Sequence, residues 1–431
     1  MKLLKGTYTE AEHHTFNLHL AYSIIEGIIL GVLALNEFVL IKSLHGTNLQ
    51  IGVLFQLSML VFVFLLFINE FIKRTVNKRK LLRYTGLFTR GPLFLLLFFP
   101  NDPEIFQGTL LYQAIFLVLF FIYYFGNTII YPLINLFLKK QYGHSNFGKL
   151  YGIATSVNKI VMLGATFVYG ILLDRDAQAY QYVFPVVAVL GVVSVFLLSM
   201  IRYQEDIKKR REQFFQSIRR SASTMVDILK TNKPYFHFEV GFMFYGFAFM
   251  ITTTVITIFL ERALHLNYSS VAFYKNAYNI LAIILLPYTG KLLGKIDPRK
   301  FAVITFGSLT LFIFFMMLTE HFPMHITIAG LDLYLMLGFA YLSYGVFAAT
   351  MALLWFIGSA YFCKTEEAGD YQSVHLFLTA ARASVAPLFG VFFYELVGFT
   401  WTFLLAIASL LGGIGLMVWS YRRDKKVVNI N

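Results

Sequence analysis

Charged side chains interrupt several long apolar stretches of this sequence, and two cations stand at comparable places. An offset of 220 residues between the two halves of the chain aligns Arg382 with Met162, one helical turn from Lys159. An ionised group at the centre of a bilayer costs about 2.5–3.5 kcal/mol, so each cation needs a partner or a function. Together they predict a site for a carboxylate, phosphate or sulfate, which Arg382 is able to bind bidentately. The alternative is that each cation pairs with a buried acid, Glu26 being the obvious candidate, and holds the helices together.

Two carboxylates are candidates for binding and releasing protons. Glu26 lies in the first apolar stretch, and a carboxylate among apolar helices binds a proton more readily than one in water. Glu239 lies a few residues into the seventh stretch, beside His237. Each has an alternative interpretation, which is a permanent salt bridge for Glu26 and a position at the membrane interface for Glu239.

Further polar side chains recur at helical spacing within the apolar stretches. Those that we predict to bind the same anionic ligand are Asn127, Tyr131, Lys275, Asn279 and His375. Arg90 lies near one end of its stretch, and we interpret it as a cation that snorkels to the interface. The single cysteine, Cys363, excludes an intramolecular disulfide and a CxxC pair, and we predict no metal and no cofactor.

The composition identifies the elements that must position these residues. The chain has 431 residues, of which 58% are hydrophobic and 14% charged, whereas soluble proteins carry about 25% charged residues. A bilayer span needs roughly 20 apolar residues, and the long continuous runs do not alternate as the strands of outer-membrane barrels do. These features predict an all-α polytopic membrane protein and exclude soluble enzymes, nucleic-acid binders and disulfide-stapled secreted domains.

Charged and Gly/Pro-rich breaks divide the sequence into twelve apolar segments. They cover roughly 17–42, 49–72, 82–100, 106–137, 149–173, 180–201, 236–261, 269–293, 300–319, 328–362, 370–396 and 399–421. We therefore predict two pseudo-symmetric six-helix bundles. Their bounds are 1–201 for the first bundle, 202–235 for a central loop, 236–421 for the second bundle and 422–431 for a tail.

The basic residues predict the orientation. With the N-terminus inside, the segments on the cytoplasmic side hold 29 of the 36 Lys and Arg residues, as expected from the positive-inside rule. Both termini are then cytoplasmic, and a bacterial inner membrane is the expected location. The net charge of +13 follows from these topology-setting patches, which are able to contact anionic lipid, so no nucleic-acid partner is predicted.

The stretch at 69–80, NEFIKRTVNKRK, resembles the signature of the major facilitator superfamily of secondary transporters. In that signature a glycine and an aspartate are followed by a basic residue, a second glycine and two further basic residues. Here the basic residues match, Asn69 and Asn77 take the glycine positions, and the aspartate is absent. A second copy at 290–300 keeps Gly290 and the basic residues and also lacks the aspartate at the matching place.

The fifth and eleventh segments strengthen this resemblance. Gly164 and Gly170 in the fifth segment are similar to the family's glycine-rich helix, and Gly390 lies in its partner, the eleventh. Small residues let helices approach closely. The resemblance implies two bundles that rock against each other.

The resemblance implies a secondary active transporter that works by alternating access. Its predicted partners are a small, anionic organic solute and membrane lipid, with protons as the coupling ion, and it is expected to be a monomer. Two alternatives remain: a flippase for lipids or lipid-linked glycans, and a non-transporting sensor or scaffold. The second is suggested by the missing aspartates and by the basic run at 208–211. We find no paired carboxylates, nucleophile elbow or metal-ligand cluster at catalytic spacing, and so do not predict an enzyme.

Overall fold

A computed structural model describes residues 8–202, 214–364 and 367–428, and the chain is mostly helical. The basic run at 208–211 lies outside the described residues. The α-helices of the first part are α1 (Glu10–Leu33), α2 (Asn36–Phe38), α3 (Asn48–Leu60), α4 (Leu65–Arg74), α5 (Lys78–Arg90), α6 (Pro103–Gly108), α7 (Leu111–Gln141), α8 (His144–Arg175) and α9 (Tyr180–Ser199). Those of the second part are α10 (Phe214–Thr231), α11 (Lys233–Ile258), α12 (Tyr268–Leu293), α13 (Pro298–His321), α14 (Leu335–Ile357), α15 (Ala368–Ala383) and α16 (Ala386–Val428).

Shorter elements join these helices. There are π-helical turns at Val39–Ser43 and Phe259–Ala263, and 3-10 segments at Val61–Phe64, Gly91–Phe98 and Ser359–Phe362. Strands β1 (His325–Ile328) and β2 (Leu331–Tyr334) form an antiparallel hairpin in which His325 faces Tyr334 and Ile328 faces Leu331. Ala329 and Gly330 both have positive φ, as a two-residue hairpin turn requires.

Nine helical stretches of the described residues are long and apolar enough to cross a bilayer. Two predicted segments are missing from this set because 49–72 is divided among α3, a 3-10 segment and α4, and 82–100 becomes α5 followed by a 3-10 segment. The last two predicted segments fall in one stretch, Asp370–Lys425. The break between them is Gly398, whose φ of 84° lies in the left-handed region that glycine adopts without strain. The tenth predicted segment began too early, because 328–334 belongs to the hairpin.

The predicted offset of 220 residues recurs in the backbone. The π-helical turns begin at Val39 and Phe259, and His45 and His265 follow them with the same φ of 50°. Thr47 and Asn267 cap the next helices, and Asn77 and Asp297 cap α5 and α13. These capping side chains accept hydrogen bonds from backbone N–H groups that a helix leaves unpaired at its start. The internal repeat is therefore confirmed at the level of turns and caps.

The chain divides into two compact units, each described by itself. Unit 1 contains 1–45 and 64–214, and unit 2 contains 46–63 and 215–431. The segment 46–63, which contains all of α3, belongs to unit 2 although it lies early in the sequence. Within it, Gln56 donates a hydrogen bond to the carbonyl of Ser384, and Asn48 donates one to Glu395.

Candidate functional site

A buried polar cluster lies in the core of unit 1, and Arg90 is its centre. The side chain of Arg90 is fully buried, and its Nη2 donates to Glu26 Oε1 at 3.2 Å and to Asn127 Oδ1 at 2.9 Å. The ring of Tyr123 lies 3.9 Å from Arg90 Cζ, close enough for a cation–π contact. We call Arg90, Glu26, Asn127 and Tyr123 the Arg90 cluster. The snorkelling interpretation of Arg90 is wrong, because a side chain without exposed surface does not reach the interface.

Helices α1, α5, α7 and α9 build this cluster. The first three carry Glu26, Arg90 and Asn127, and α9 brings Gly191 against the aliphatic part of Arg90. A Cβ at Gly191 would lie 3.0 Å from the Cβ of Arg90, tighter than ordinary van der Waals contact. The absence of a side chain at 191 therefore lets a full arginine fit in the core. Glu26 Oε2 and two further nitrogens of Arg90, Nε and Nη1, have no hydrogen-bond partner among the described residues.

A second buried pair lies in unit 2, between α11 and α15. His375 Nδ1 lies 3.0 and 3.1 Å from the two carboxylate oxygens of Glu239. Glu239 and His375 are each 1% exposed. The rings of Phe242 and Trp355 meet the imidazole nearly edge to face, at centroid distances of 4.9 and 4.7 Å. Protein thus encloses the carboxylate of Glu239, which contacts His375, a residue predicted to bind the ligand.

Arg382 lies two turns further along α15 and lines a cavity of unit 2. Its Nη1 donates to the carbonyl of Phe242, its Nη2 donates to Thr379 Oγ1 at 3.3 Å, and its buried Nε has no hydrogen-bond partner among the described residues. The side chain is 7% exposed, and none of the described carboxylates forms an ion pair with it. The guanidinium packs against Gly246 of α11, where a Cβ would overlap it. Arg382 is thus a buried cation held by uncharged oxygens.

Aromatic side chains dominate the wall of this cavity. Its volume is about 350 Å³, and six of its thirteen lining residues are aromatic. Arg382 is the one charged residue among the thirteen. Pockets of about 300–1,000 Å³ with few polar groups are typical of small-molecule sites. The cavity therefore has a mostly apolar wall with a single cation.

The remaining predicted residues lie apart from these contacts. Lys159 is half-buried on α8, and no carboxylate in the described part of the chain lies within ion-pair distance of it. Tyr131 follows Asn127 by one turn on α7 and is 37% exposed. On α12, Asn279 donates to the carbonyl of Lys275 at 2.7 Å. Lys159 belongs to unit 1 and Arg382 to unit 2, so the proposed joint site of the two cations remains a prediction.

The basic stretches that carry the family resemblance form ion pairs of their own. Arg74 pairs with Glu70 one turn earlier, at 2.8 Å. The buried guanidinium of Arg299 pairs with Asp297 and with Asp424 of α16. Although the signature aspartate is missing from both stretches, other carboxylates neutralise their arginines.

The sequence analysis missed three features of these sites. It did not pair Glu26 with Arg90, did not predict that Gly246 packs against Arg382, and did not predict that the aromatic residues line one cavity. A signal for the second existed, because Gly241 and Gly246 interrupt a run of large aromatic residues in the seventh segment. Pairing and enclosure depend on which helices are neighbours, and local spacing does not specify this.

The long apolar helices of the described residues define a polytopic membrane protein. The sequence pattern of the Major Facilitator Superfamily matches residues 18–381. The chain belongs to the Major Facilitator Superfamily, and the family prediction is confirmed.

Solved structures with a similar fold cover nearly the whole chain. The nucleoside transporter NupG has a TM-score of 0.68 at 11% identity, over 96% of this chain and 99% of that one. A bacterial homologue of the human lysosomal transporter Spinster has a TM-score of 0.65 at 12% identity, over 96% and 98%. The peptide transporter POT in complex with sulfate has a TM-score of 0.65 at 13% identity, over 95% and 94%. A comparison with curated protein sequences found no significant match. At these identities the likeness establishes the fold.

Proposed function

We propose that this protein is a secondary active transporter that moves a small, anionic organic solute by alternating access. The observation that carries the proposal is Arg382, a buried cation that lines the cavity and forms no ion pair with the carboxylates of the described residues. Removing a charge from water costs several kcal/mol unless an opposite charge compensates for it. An anionic solute in the cavity would supply that charge.

Arg90 provides the contrast that makes Arg382 informative. Arg90 has Glu26 as its counter-ion at 3.2 Å, so its charge is already compensated within unit 1. Arg382 has only a carbonyl and a hydroxyl as acceptors. Glu239, the nearest candidate acid on α11, is hydrogen-bonded to His375 instead. We therefore assign anion binding to Arg382, with Lys159 proposed as the second cation.

We propose that Glu239 and His375 carry the coupling proton. Their side chains are buried together, so the binding or release of one proton changes the net charge of the pair. A short chain of contacts joins this pair to Arg382, because Thr379 Oγ1 donates to the carbonyl of His375 at 2.9 Å and accepts from Arg382. We propose that a change in the protonation of Glu239 and His375 alters the anion site at Arg382 through these contacts. For Glu26, the ion pair with Arg90 at 3.2 Å supports the alternative interpretation, a permanent salt bridge.

We further propose a bacterial inner-membrane location, both termini in the cytoplasm and a monomeric state. The positive-inside distribution of Lys and Arg supports the orientation.

The first test is anion binding by purified protein, followed by counterflow in liposomes. We expect monocarboxylates to stabilise the wild-type protein, since a ligand at 100 times its Kd adds about 2.7 kcal/mol. Arg382→Gln should weaken this binding by about 10- to 150-fold, because charge-assisted hydrogen bonds contribute about 1.5–3 kcal/mol. The matched control is Arg422→Gln, which removes an exposed arginine of α16 from the same unit. Anion binding that is equal in both variants would refute the assignment of Arg382.

Coupling is tested in the same liposomes. Solute uptake should acidify the lumen of wild-type vesicles that contain a pH-sensitive dye, and Glu239→Gln should transport solute without moving protons. Proton movement that survives in Glu239→Gln and disappears in Glu26→Gln would place coupling in the Arg90 cluster instead. Exchange of labelled lipid headgroups without any solute counterflow would favour a flippase.

A further inference from the structure

The arrangement of rings around Arg382 bears on the class of solute. The aromatic residues on the cavity wall come from three helices: Tyr245 and Phe249 from α11, Tyr278 from α12, and Tyr344, Phe347 and Trp355 from α14. Three methionines and two alanines complete the apolar surface. The cavity lies entirely in unit 2.

Five of the six rings contact one another in one continuous series. Phe249 lies 5.9 Å from Tyr245 and 5.8 Å from Phe347, at interplanar angles of 28° and 34°. Tyr344 lies 5.3 Å from Phe347 and meets Tyr278 edge to face at 4.6 Å. These contacts restrict the five rings, so little of their side-chain freedom remains to be lost when a ligand binds. Aromatic rings pair favourably at centroid distances of about 4.5–7 Å in offset or edge-to-face geometry. The wall thus presents faces and edges suited to another ring.

The cation lies beside this aromatic surface. Arg382 Cζ is 5.7 Å from the ring centroid of Tyr245. A planar acid would place its carboxylate at Arg382 while its ring contacts Tyr245 and Phe249. The thirteen lining residues include no acidic side chain, so an ammonium group on the ligand would find no ion-pair partner there. The volume of about 350 Å³ lies near the lower end of ligand pockets and suits one or two rings.

We infer that the solute is a monoanionic aromatic acid, a ring system of one or two rings that carries a single carboxylate. This inference rests on the proposed function, because it assigns a substrate class to the same Arg382 site. Aliphatic monoanions share the charge and lack the ring, and aromatic amino acids carry an ammonium for which the wall supplies no carboxylate.

The test compares benzoate with cyclohexanecarboxylate, which has the same charge and nearly the same size but a saturated ring. Calorimetry on the wild-type protein at pH 7.5 should show benzoate binding roughly tenfold more tightly, from two aromatic contacts. Benzamide, the uncharged aromatic analogue, and phenylalanine, the zwitterion, should bind more weakly than benzoate.

Variants separate the ring from the charge. Phe249→Leu should bring the affinity for benzoate close to the affinity for cyclohexanecarboxylate. Arg382→Gln should weaken the binding of both acids by the same factor. The matched control is Phe314→Leu, which alters an exposed ring of α13 outside the cavity wall and should leave the preference unchanged.

The outcomes distinguish the two proposals. Equal affinity of wild-type protein for benzoate and cyclohexanecarboxylate, both lost in Arg382→Gln, would overturn the aromatic class and leave the anion site standing. Affinity for benzoate that is unaffected by Arg382→Gln would overturn the anion site itself. Benzamide or phenylalanine binding as tightly as benzoate would overturn the inference that the solute is a monoanion. The wild-type comparison needs no variant, so it decides the matter even if Phe249→Leu fails to fold.

Discussion

Replacing Gly246 with alanine tests how α11 positions Arg382. A Cβ at residue 246 would overlap Nε and Cζ of Arg382 and would lie 2.6 Å from its Nη2. Ordinary van der Waals contact begins at 3.4 Å, so Nη2 must move by at least the difference of 0.8 Å. The hydrogen bond from Nη2 to Thr379 is already long at 3.3 Å and would not survive this displacement.

The effects of Gly246→Ala on folding and on binding differ in size. Overpacking a core costs about 1–3 kcal/mol, and alanine returns about 0.5–1 kcal/mol through helix propensity, so we expect a loss of stability of about 2 kcal/mol or less. Anion binding should weaken by about tenfold or more, because the misplaced guanidinium loses at least one charge-assisted hydrogen bond to the ligand.

The assay is anion-dependent thermal stabilisation, together with calorimetry using benzoate. Gly307→Ala of α13 is the control, since a Cβ there meets no atom within 4 Å. The double variant Gly246→Ala/Arg382→Ala should recover stability relative to Gly246→Ala, because the overlapping side chain is gone. Anion affinity of Gly246→Ala equal to that of the wild type would refute the claim that Gly246 positions Arg382.

Two further predictions concern the ion pairs. Glu26→Gln should lower the free energy of unfolding by about 3–5 kcal/mol, because it leaves the fully buried Arg90 without a counter-ion. A melting temperature like that of the wild type would show that Asn127 and Tyr123 suffice to stabilise the buried charge of Arg90. Asp424→Asn should cost only about 1 kcal/mol in the same melts, because Arg299 keeps Asp297 and Ser420 as partners; a loss as large as that of Glu26→Gln would contradict this ranking.

Much of the helical architecture could be predicted because membrane-spanning helices are locally encoded. Apolar length predicts a span whatever its neighbours are, and the predicted segments at 180–201 and 300–319 correspond to α9 and α13. The 220-residue offset was faint in residue identities, yet it reappears in the paired π-helical turns and caps. Where the prediction differed, at 49–72 and 82–100, the α-helix gives way to a 3-10 segment, which begins at Val61 and at Gly91, and apolar length alone does not specify this change of winding.

The sequence by itself determined that this chain spans a membrane, roughly where most of its helices lie, and that buried charges had to be compensated. Only the tertiary structure decided how. Glu26 and Arg90 are 64 residues apart, Glu239 and His375 are 136 apart, and neither spacing indicates a contact. Helix packing brings distant turns to the same depth, and the energetic preference for paired charges then selects among the possible partners. Arg382 differs from Arg90 because none of the described carboxylates forms an ion pair with it, and residues of α11, α12 and α14 together line the aromatic cavity beside it.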